Sequence, residues 1–435
     1  LSFNSPMQTL SKNDLKSLGY IWGPKHTTRS SSWLQFADYA VILSGCISDA
    51  QSLLNIFSAW CNWSQMKIRQ DKCCTFGMTK NNNKFNQFEP GLYLEDGRRL
   101  PSVAIEDSFS YLGKWYDFEN KNSSAKNKII EKLNSLLDIT SKRKIKCQLK
   151  LKILRLYIHS HFQYELRLYG LGATWIERKM DTLCARHVRE WLTMPVSGCV
   201  KELMVLPENR AGLNVPSFRN TAEKLHLQKR FKLKTNSQLD MNFLWAETTE
   251  KNVNTDALLG NSQDLTSALS KLKKSQTDIT TSHILGLKSQ GLAIKCVLEN
   301  ILERDIVSWT KTLDKLPNFI HNFARKAMQQ MLPTAANLTR WGKIADPTCR
   351  LCNNGSAQTN KHVLSNCSAQ VALKRYTKRH NDVLQLLADW LLSNRSKDYS
   401  LHVDIESNKF KRVADVFDNR VRPDIILVNV HRIIV

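Results

Sequence analysis

The sequence predicts an α+β chain that is mostly helical, and three observations predict it. Short apolar runs broken by turn residues occupy the first part of the chain, at Leu34–Leu43 and Phe109–Gly113. Apolar residues then recur at helical spacing from Ser124 to about Arg189, from Ile284 to Met331 and from about Val371 to Leu392. Between the last two stretches lies a cluster, Cys349-x2-Cys352-x9-His362-x4-Cys367, with the spacing of a small metal knuckle.

The elements follow in order. Met7, Leu10, Leu15 and Leu18 space as an opening helix, which Gly23-Pro24 turns. Leu34–Leu43 reads as strand, tight turn, strand. Ala50–Met66 is an amphipathic helix carried by Leu53, Leu54, Ile56, Phe57, Trp60 and Trp63. Lys67–Phe76 reads as a short strand holding Lys72, Asn81-Asn82-Asn83 as a loop, and Phe109-Ser110-Tyr111-Leu112 as a strand stopped by Gly113. A helix is expected over Lys142–Tyr157, with Ile145, Leu149, Ile153 and Leu156 as its apolar stripe. Lys142, Lys146 and Lys150 lie beside that stripe at i, i+4 spacing. Around Asn236–Thr281, Ser, Thr, Asn and Gln dominate, which suits a linker with a weak helix or two. After the cysteine cluster come a helix over about Val371–Leu392 and a segment ending in strands.

Bulk properties narrow the function. The 435 residues suffice for about two to four domains. A net charge of +24 is the footprint of a polyanion partner, and it is concentrated: Ser141–Thr235 holds 20 Lys+Arg against 7 Asp+Glu. Eleven cysteines occur with no signal peptide, which predicts a reducing, intracellular compartment with free thiols and one metal site. No apolar run reaches the ~18 residues of a membrane span. The first residues, Leu1-Ser2-Phe3-Asn4, lack an initiating Met, and the last, Ile433-Ile434-Val435, are an apolar strand, so a piece of a longer polypeptide is expected.

Two motifs carry chemistry. Phe36-Ala37-Asp38-Tyr39, followed by Ala40-Val41-Ile42-Leu43, puts a carboxylate on a tight hairpin between apolar strands. A two-metal polymerase needs such a ligand. Tyr39 cannot serve as one at neutral pH, because a phenol ionises near pH ~10. An exposed turn aspartate accounts for Asp38 equally well on these residues alone. In the cysteine cluster, Cys349 and Cys352 fit a tight turn onto one metal, and His362 and Cys367 complete a tetrahedral Zn2+ shell. Such a zinc is structural, since four protein ligands leave no open position. The alternative is three buried thiols and a chance histidine, but the polar Asn353-Asn354-Gly355 between the halves favours zinc.

In this order the motifs resemble the C-terminal part of non-LTR (LINE-type) retrotransposon reverse transcriptase polyproteins, of the lineage with a restriction-like endonuclease at its C-terminus. The resemblance runs over most of the chain and is weakest between about residues 236 and 320. It implies a partial reverse-transcriptase palm sheet at 1–118, a basic helical thumb at 119–235 and a helical linker at 236–345. A CCHC zinc knuckle follows at 346–370, and a truncated restriction-like nuclease of α/β fold begins at 371–435.

The resemblance also implies roles. Asp38 would hold Mg2+ in the palm. Lys72, in Met66–Cys73, would lie near the departing pyrophosphate, where a cation or proton donor helps the leaving group. An ordinary surface lysine is the other reading of it. Gly113 would let the backbone approach the primer. Lys142, Lys146 and Lys150 would follow the phosphates of a template-primer duplex. Trp191-Leu192-Thr193-Met194-Pro195 and Pro207–Leu213 also match, as packing and turn residues. Lys378-Arg379-His380-Asn381 and Arg422-Pro423-Asp424 would open the endonuclease, with Asp424 as its first Mg2+-binding carboxylate. A strand-initial Pro-Asp turn is the other reading of Asp424.

Two departures stand out. Tyr39 replaces the second aspartate of the hairpin, and no aspartate in a matching context precedes Asp38, since Asp14 lies in a polar helix start. The resemblance therefore implies part of an RNA-directed DNA polymerase, a nucleotidyltransferase that works by target-primed reverse transcription in the nucleus. Its partners would be an RNA template and a DNA primer or target. A catalytically inactive nucleic-acid-binding relic is the alternative, and a decayed reading frame without function a third.

Overall fold

Residues 12–23, 29–36, 39–82, 84–118, 122–237, 244–246, 257, 259, 264–406, 409–417, 423–429 and 431–435 are described by the structure, a computed structural model. The chain forms two compact units. One comprises Leu1–Val188 with Asn214–Asp278, the other Arg189–Leu213 with Ile279–Val435. The chain is α+β and mostly helical, as the periodicities predict. Among the described residues, no helix is long and apolar enough to cross a membrane.

The first unit opens with a short helix, Lys12–Ser17, followed by antiparallel hairpins. Tyr20–Trp22 pairs with Arg29–Ser31, Trp33–Phe36 with Tyr39–Ile42, Gly77–Asn81 with Lys84–Phe88, and Ser108–Tyr111 with Lys114–Asp117. Among the described residues these ladders remain separate two-stranded sheets, where a partial palm sheet was expected. Rings link three of them: Phe76, just before Gly77, and Phe109 have centroids 5.3 Å apart, and Tyr39 and Tyr111 lie 6.3 Å apart. An isolated hairpin is marginal in water, so packing must hold these in place. Part of that packing is the Ile47–Trp63 helix, whose Leu54 joins Leu92, Leu94 and Leu100 in a small core. Trp63, expected on the same apolar face, is 75% exposed.

Helices follow at Ser123–Lys142, Cys147–Ile153, Gln163–Leu168, Thr182–Trp191 and Phe218–Thr235. Ile129, Leu133, Leu137, Leu154, Ile158, Phe162, Met180 and Phe218 are almost wholly removed from solvent. Full burial of such a side chain contributes roughly 1.5–3 kcal/mol. The expected helix over Lys142–Tyr157 is not continuous. Arg143 is extended after Lys142, and a new helix starts at Cys147. The buried stripe is Cys147, Leu151, Leu154 and Ile158, while Leu149 and Leu156 are 49% and 57% exposed. The polar stretch after Asn236 carries a long helix, Leu265–Leu285, with Leu259 and Ala268 buried on Leu227.

The second unit gathers the helices Val200–Val205, Leu292–Asn300, Glu303–Lys315, Asn318–Met328 and Ala335–Arg340. The Trp191–Pro195 and Pro207–Leu213 segments are turns docked on the Asn318–Met328 helix. Asn322 Nδ2 donates to the Trp191 carbonyl (3.2 Å), Lys326 Nζ to Thr193 Oγ1 (3.0 Å), and the buried Arg325 Nη1 to the Ala211 carbonyl (2.7 Å). Thr193 and Ala211 have φ of 51° and 59°. Glycine is required at 212, where a Cβ would lie 1.9 Å from the Leu206 carbonyl oxygen.

The unit ends in the 25-residue helix Gln370–Asn394 and a four-stranded sheet. The sheet order is Lys411–Arg412, Ser400–Val403, Ile425–Val428, Ile433–Ile434, with the first pair parallel and the others antiparallel. Leu384 and Ala388 of the helix bury against Leu401, Val403 and Phe410.

Candidate metal centre

Cys349, Cys352, His362 and Cys367 converge. Their ligand atoms all lie within 4.8 Å of one another, and only Cys352 is more than slightly exposed. Local structure brings them there. Asp346 Oδ1 accepts the Thr348 N–H (2.9 Å) and its carboxylate takes the Thr348 hydroxyl, which opens the turn. The Cys349 N–H donates to the Ser356 carbonyl (2.9 Å) and that of Gln358 to the Pro347 carbonyl (2.8 Å). Asn353 (φ 48°) and Gly355 (φ 74°) reverse the chain between these bonds. Asn354 Oδ1 accepts both the Ser356 N–H and the Cys352 thiol, each at 3.1 Å. His362 starts one wide helical turn, His362–Asn366, which delivers Cys367 back to the cluster.

Two of the six separations come close to the edges of a tetrahedral zinc site. Bonds of ~2.3 Å to sulfur and ~2.0–2.1 Å to nitrogen set S···S edges near 3.8 Å and S···N edges near 3.5 Å. Cys349 Sγ and Cys367 Sγ are 4.0 Å apart, and Cys352 Sγ is 3.5 Å from His362 Nε2. Burial opposes ionisation of Cys349, but the Cys352 and Leu351 amides and the His362 ring outweigh it and bring that thiol down to about 6. At Cys367 the Ala369 amide favours the thiolate, yet burial and the sulfurs of Cys349 and Cys352 push the thiol up. The first thiolate forms easily and the next is resisted by its neighbour, a repulsion that a divalent cation removes. The four residues thus fit Zn2+ in a closed, structural site.

Further groups support the ligands. Gln358 Nε2 reaches Cys349 Sγ at 3.7 Å. Tyr376, on the Gln370–Asn394 helix, accepts the Cys367 N–H at its hydroxyl (3.2 Å). The same hydroxyl donates toward the carbonyls of Val363 (2.9 Å) and His362 (3.1 Å). Nothing in the spacing of cysteines and histidine points to Tyr376, because it acts on their backbone from the next element.

The remaining expected site residues are more scattered. Asp38 lies outside the described residues, although Phe36 pairs with Tyr39 across the hairpin that carries it. Lys72 is exposed and sits on a 3-10 turn, Gln70–Lys72, where a strand was expected. In the turn Arg69 bonds Asp71 two residues on, and the Lys72 N–H donates to the Arg69 carbonyl (3.0 Å). Gly113 (φ 75°) and Leu112 (φ 49°) form the two-residue turn after Ser108–Tyr111. The Tyr164 ring lies 3.1 Å from where a Cβ at Gly113 would stand.

Lys142, Lys146 and Lys150 do not share a helix: the first ends one, the second precedes the next, and Lys150 Nζ donates to the Ser141 carbonyl (2.7 Å). That bond ties down the broken helix end rather than presenting the ammonium outward. Asp424 does meet the other C-terminal motif, since its Oδ1 lies 3.3 Å from His380 Nε2.

Residues 299–373 match the family described as zinc-binding in reverse transcriptase. The match covers the whole cluster and also the Glu303–Lys315, Asn318–Met328 and Ala335–Arg340 helices before it. The chain is also 27% identical over 254 residues to a retrovirus-related Pol polyprotein from a type-2 retrotransposable element of Drosophila melanogaster. That alignment covers 56% of the chain and 23% of the relative, so the chain spans less than a quarter of it. With a Cys/His tetrad inside a reverse-transcriptase zinc-binding segment, and a retrotransposon Pol polyprotein aligned over half its length, the chain is related to part of the reverse-transcriptase polyproteins of non-LTR retrotransposons.

Proposed function

We propose that the chain is the part of a retrotransposon RNA-directed DNA polymerase that holds the template-primer and the target during target-primed reverse transcription. The observation that carries this reading is the closed Cys349/Cys352/His362/Cys367 tetrad within the reverse-transcriptase zinc-binding segment. Its partners are an RNA template and a DNA primer or target, which the surplus of 20 Lys+Arg over 7 Asp+Glu in Ser141–Thr235 suits. Work on chromosomal DNA puts the protein in the nucleus. In the polymerase Asp38 holds Mg2+, Lys72 assists the leaving pyrophosphate and Gly113 lets the backbone approach the primer. In the nuclease Asp424 holds Mg2+.

One observation favours a second reading, an inactive nucleic-acid-binding relic. The residue paired with Phe36 at the hairpin end is Tyr39, a phenol half exposed beside Tyr111, where a second carboxylate would serve a metal. Primer extension on an RNA template with Mg2+ separates the two. Incorporated nucleotide supports the polymerase. Bound template without incorporation supports the relic, and failure to bind either an RNA–DNA duplex or single-stranded RNA overturns both.

A further inference from the structure

The helix Gln370–Asn394 is shared between two small cores. Near its start Ala372 and Tyr376 pack with Cys349, Cys352 and Cys367. Near its end Leu384 and Ala388 pack with Leu401, Val403 and Phe410 of the sheet. Ala372, Tyr376, His380, Leu384 and Ala388 follow one another at i+4, so each is a neighbour of the next along a row that winds slowly round the helix. His380, midway on it, reaches Asp424 at the start of strand Ile425–Val428 (3.3 Å). At the other end the Tyr376 hydroxyl is bonded to three backbone groups of the turn that carries two zinc ligands, the Cys367 N–H and the His362 and Val363 carbonyls. A neighbouring Arg379 guanidinium lies 5.4 Å from the Tyr376 ring centroid.

We propose that Tyr376 is a positioning residue that couples zinc loading of the tetrad to the placement of His380 against Asp424. The inference rests on the zinc reading of the centre. Metal draws His362 and Cys367 into one geometry, which sets the three backbone groups around a single hydroxyl position. A tyrosine held there fixes the start of the helix in rotation and translation. Because the helix is a continuous hydrogen-bonded rod, the residue one turn later is fixed with it. Without the metal the turn loosens and the first turns of the helix lose their anchor, while the later turns keep theirs on the sheet.

Tyr376→Phe removes the hydroxyl and keeps the ring in its core. Two readouts test the idea: zinc affinity by chelator competition, and amide hydrogen exchange read by peptide mass spectrometry. Partners of this kind typically account for about 10- to 100-fold in metal affinity, and a loss of that size is expected. In the wild-type chain, stripping zinc should speed exchange over residues 371–382 and leave 384–394 protected. Tyr376→Phe at saturating zinc should exchange over 371–382 as the stripped wild type does. Equal affinity of variant and wild type, or exchange over 371–382 that does not respond to zinc, overturns the coupling alone. A wild-type chain that takes up no zinc overturns the centre and the coupling together.

Discussion

The helices of residues 123–235 and the turn of residues 346–370 are held by opposite means. The first region buries Leu133, Leu137, Ile158, Phe162 and Met180 to the last few Å². The second has for a core little more than Cys349, Cys367 and Ala372, with Cys352, Ala369 and Tyr376 at its edge. Apolar burial is intrinsic to a sequence and acts in any buffer. A core of thiols is held in place by a cation, and its stability is a property of the solution as much as of the chain. One molecule therefore contains a region that should be indifferent to chelators and one that should depend on them wholly.

The largest effect should come from the metal. Removing zinc, or substituting Cys352→Ala, should unfold residues 346–370, with a loss of the order of 10 kcal/mol of binding free energy. The transition of the helical region should not move. Zinc stoichiometry with peptide-resolved hydrogen exchange checks this, and a helical region that loosens with the turn would break the contrast. Next in size is the converse. Leu133→Ala should cost about 2–5 kcal/mol in denaturant unfolding of the helical region and leave zinc content unchanged.

A third test uses acid. Burial lowers the pKa of His159, stacked on Phe218 with ring centroids 4.5 Å apart, from its ordinary 6.5 to about 4. The unfolded chain then binds a proton that the folded one refuses. Stability from this group is complete above about pH 6.5 and is lost as the pH falls toward 4, by up to about 3 kcal/mol. His159→Gln should flatten that part of the profile measured by urea midpoints. The smallest effect is expected at the surface pair of Arg69 and Asp71, both more than half exposed. Arg69→Ala should leave both regions within error of wild type, since exposed pairs contribute little.

The two regions also differ in how far the chain's letters announced them. The tetrad was legible because metal ligands must meet at a point, and a turn between Cys349 and Cys352 leaves few ways to do so. Helix content was legible from apolar spacing. The lysine stripe was not, because i+4 spacing places Lys142, Lys146 and Lys150 together only if the helix runs on, and it stops at Arg143. No glycine or proline marks that stop; the Lys150 ammonium instead bonds the Ser141 carbonyl across the turn, nine residues back. Tyr376 and Arg325 escaped for a related reason. Each acts on a backbone group distant in sequence, and nothing local distinguishes it from its neighbours.

The helix that serves two cores has a consequence for how such chains can vary in length. Each added residue turns a helix by about 100° and advances it by ~1.5 Å. A single insertion between Tyr376 and Leu384 would turn Leu384 and Ala388 by about 100° relative to Tyr376, so both cores could not keep their present contacts. An insertion of seven residues would nearly restore the phase while moving the sheet about 10 Å along the axis. Substitutions in the exposed positions of that span, such as Lys378 and Arg379, leave the phase untouched. The interval between the knuckle and the sheet should thus behave as a gear with a fixed number of teeth, free to change its surface but not its count.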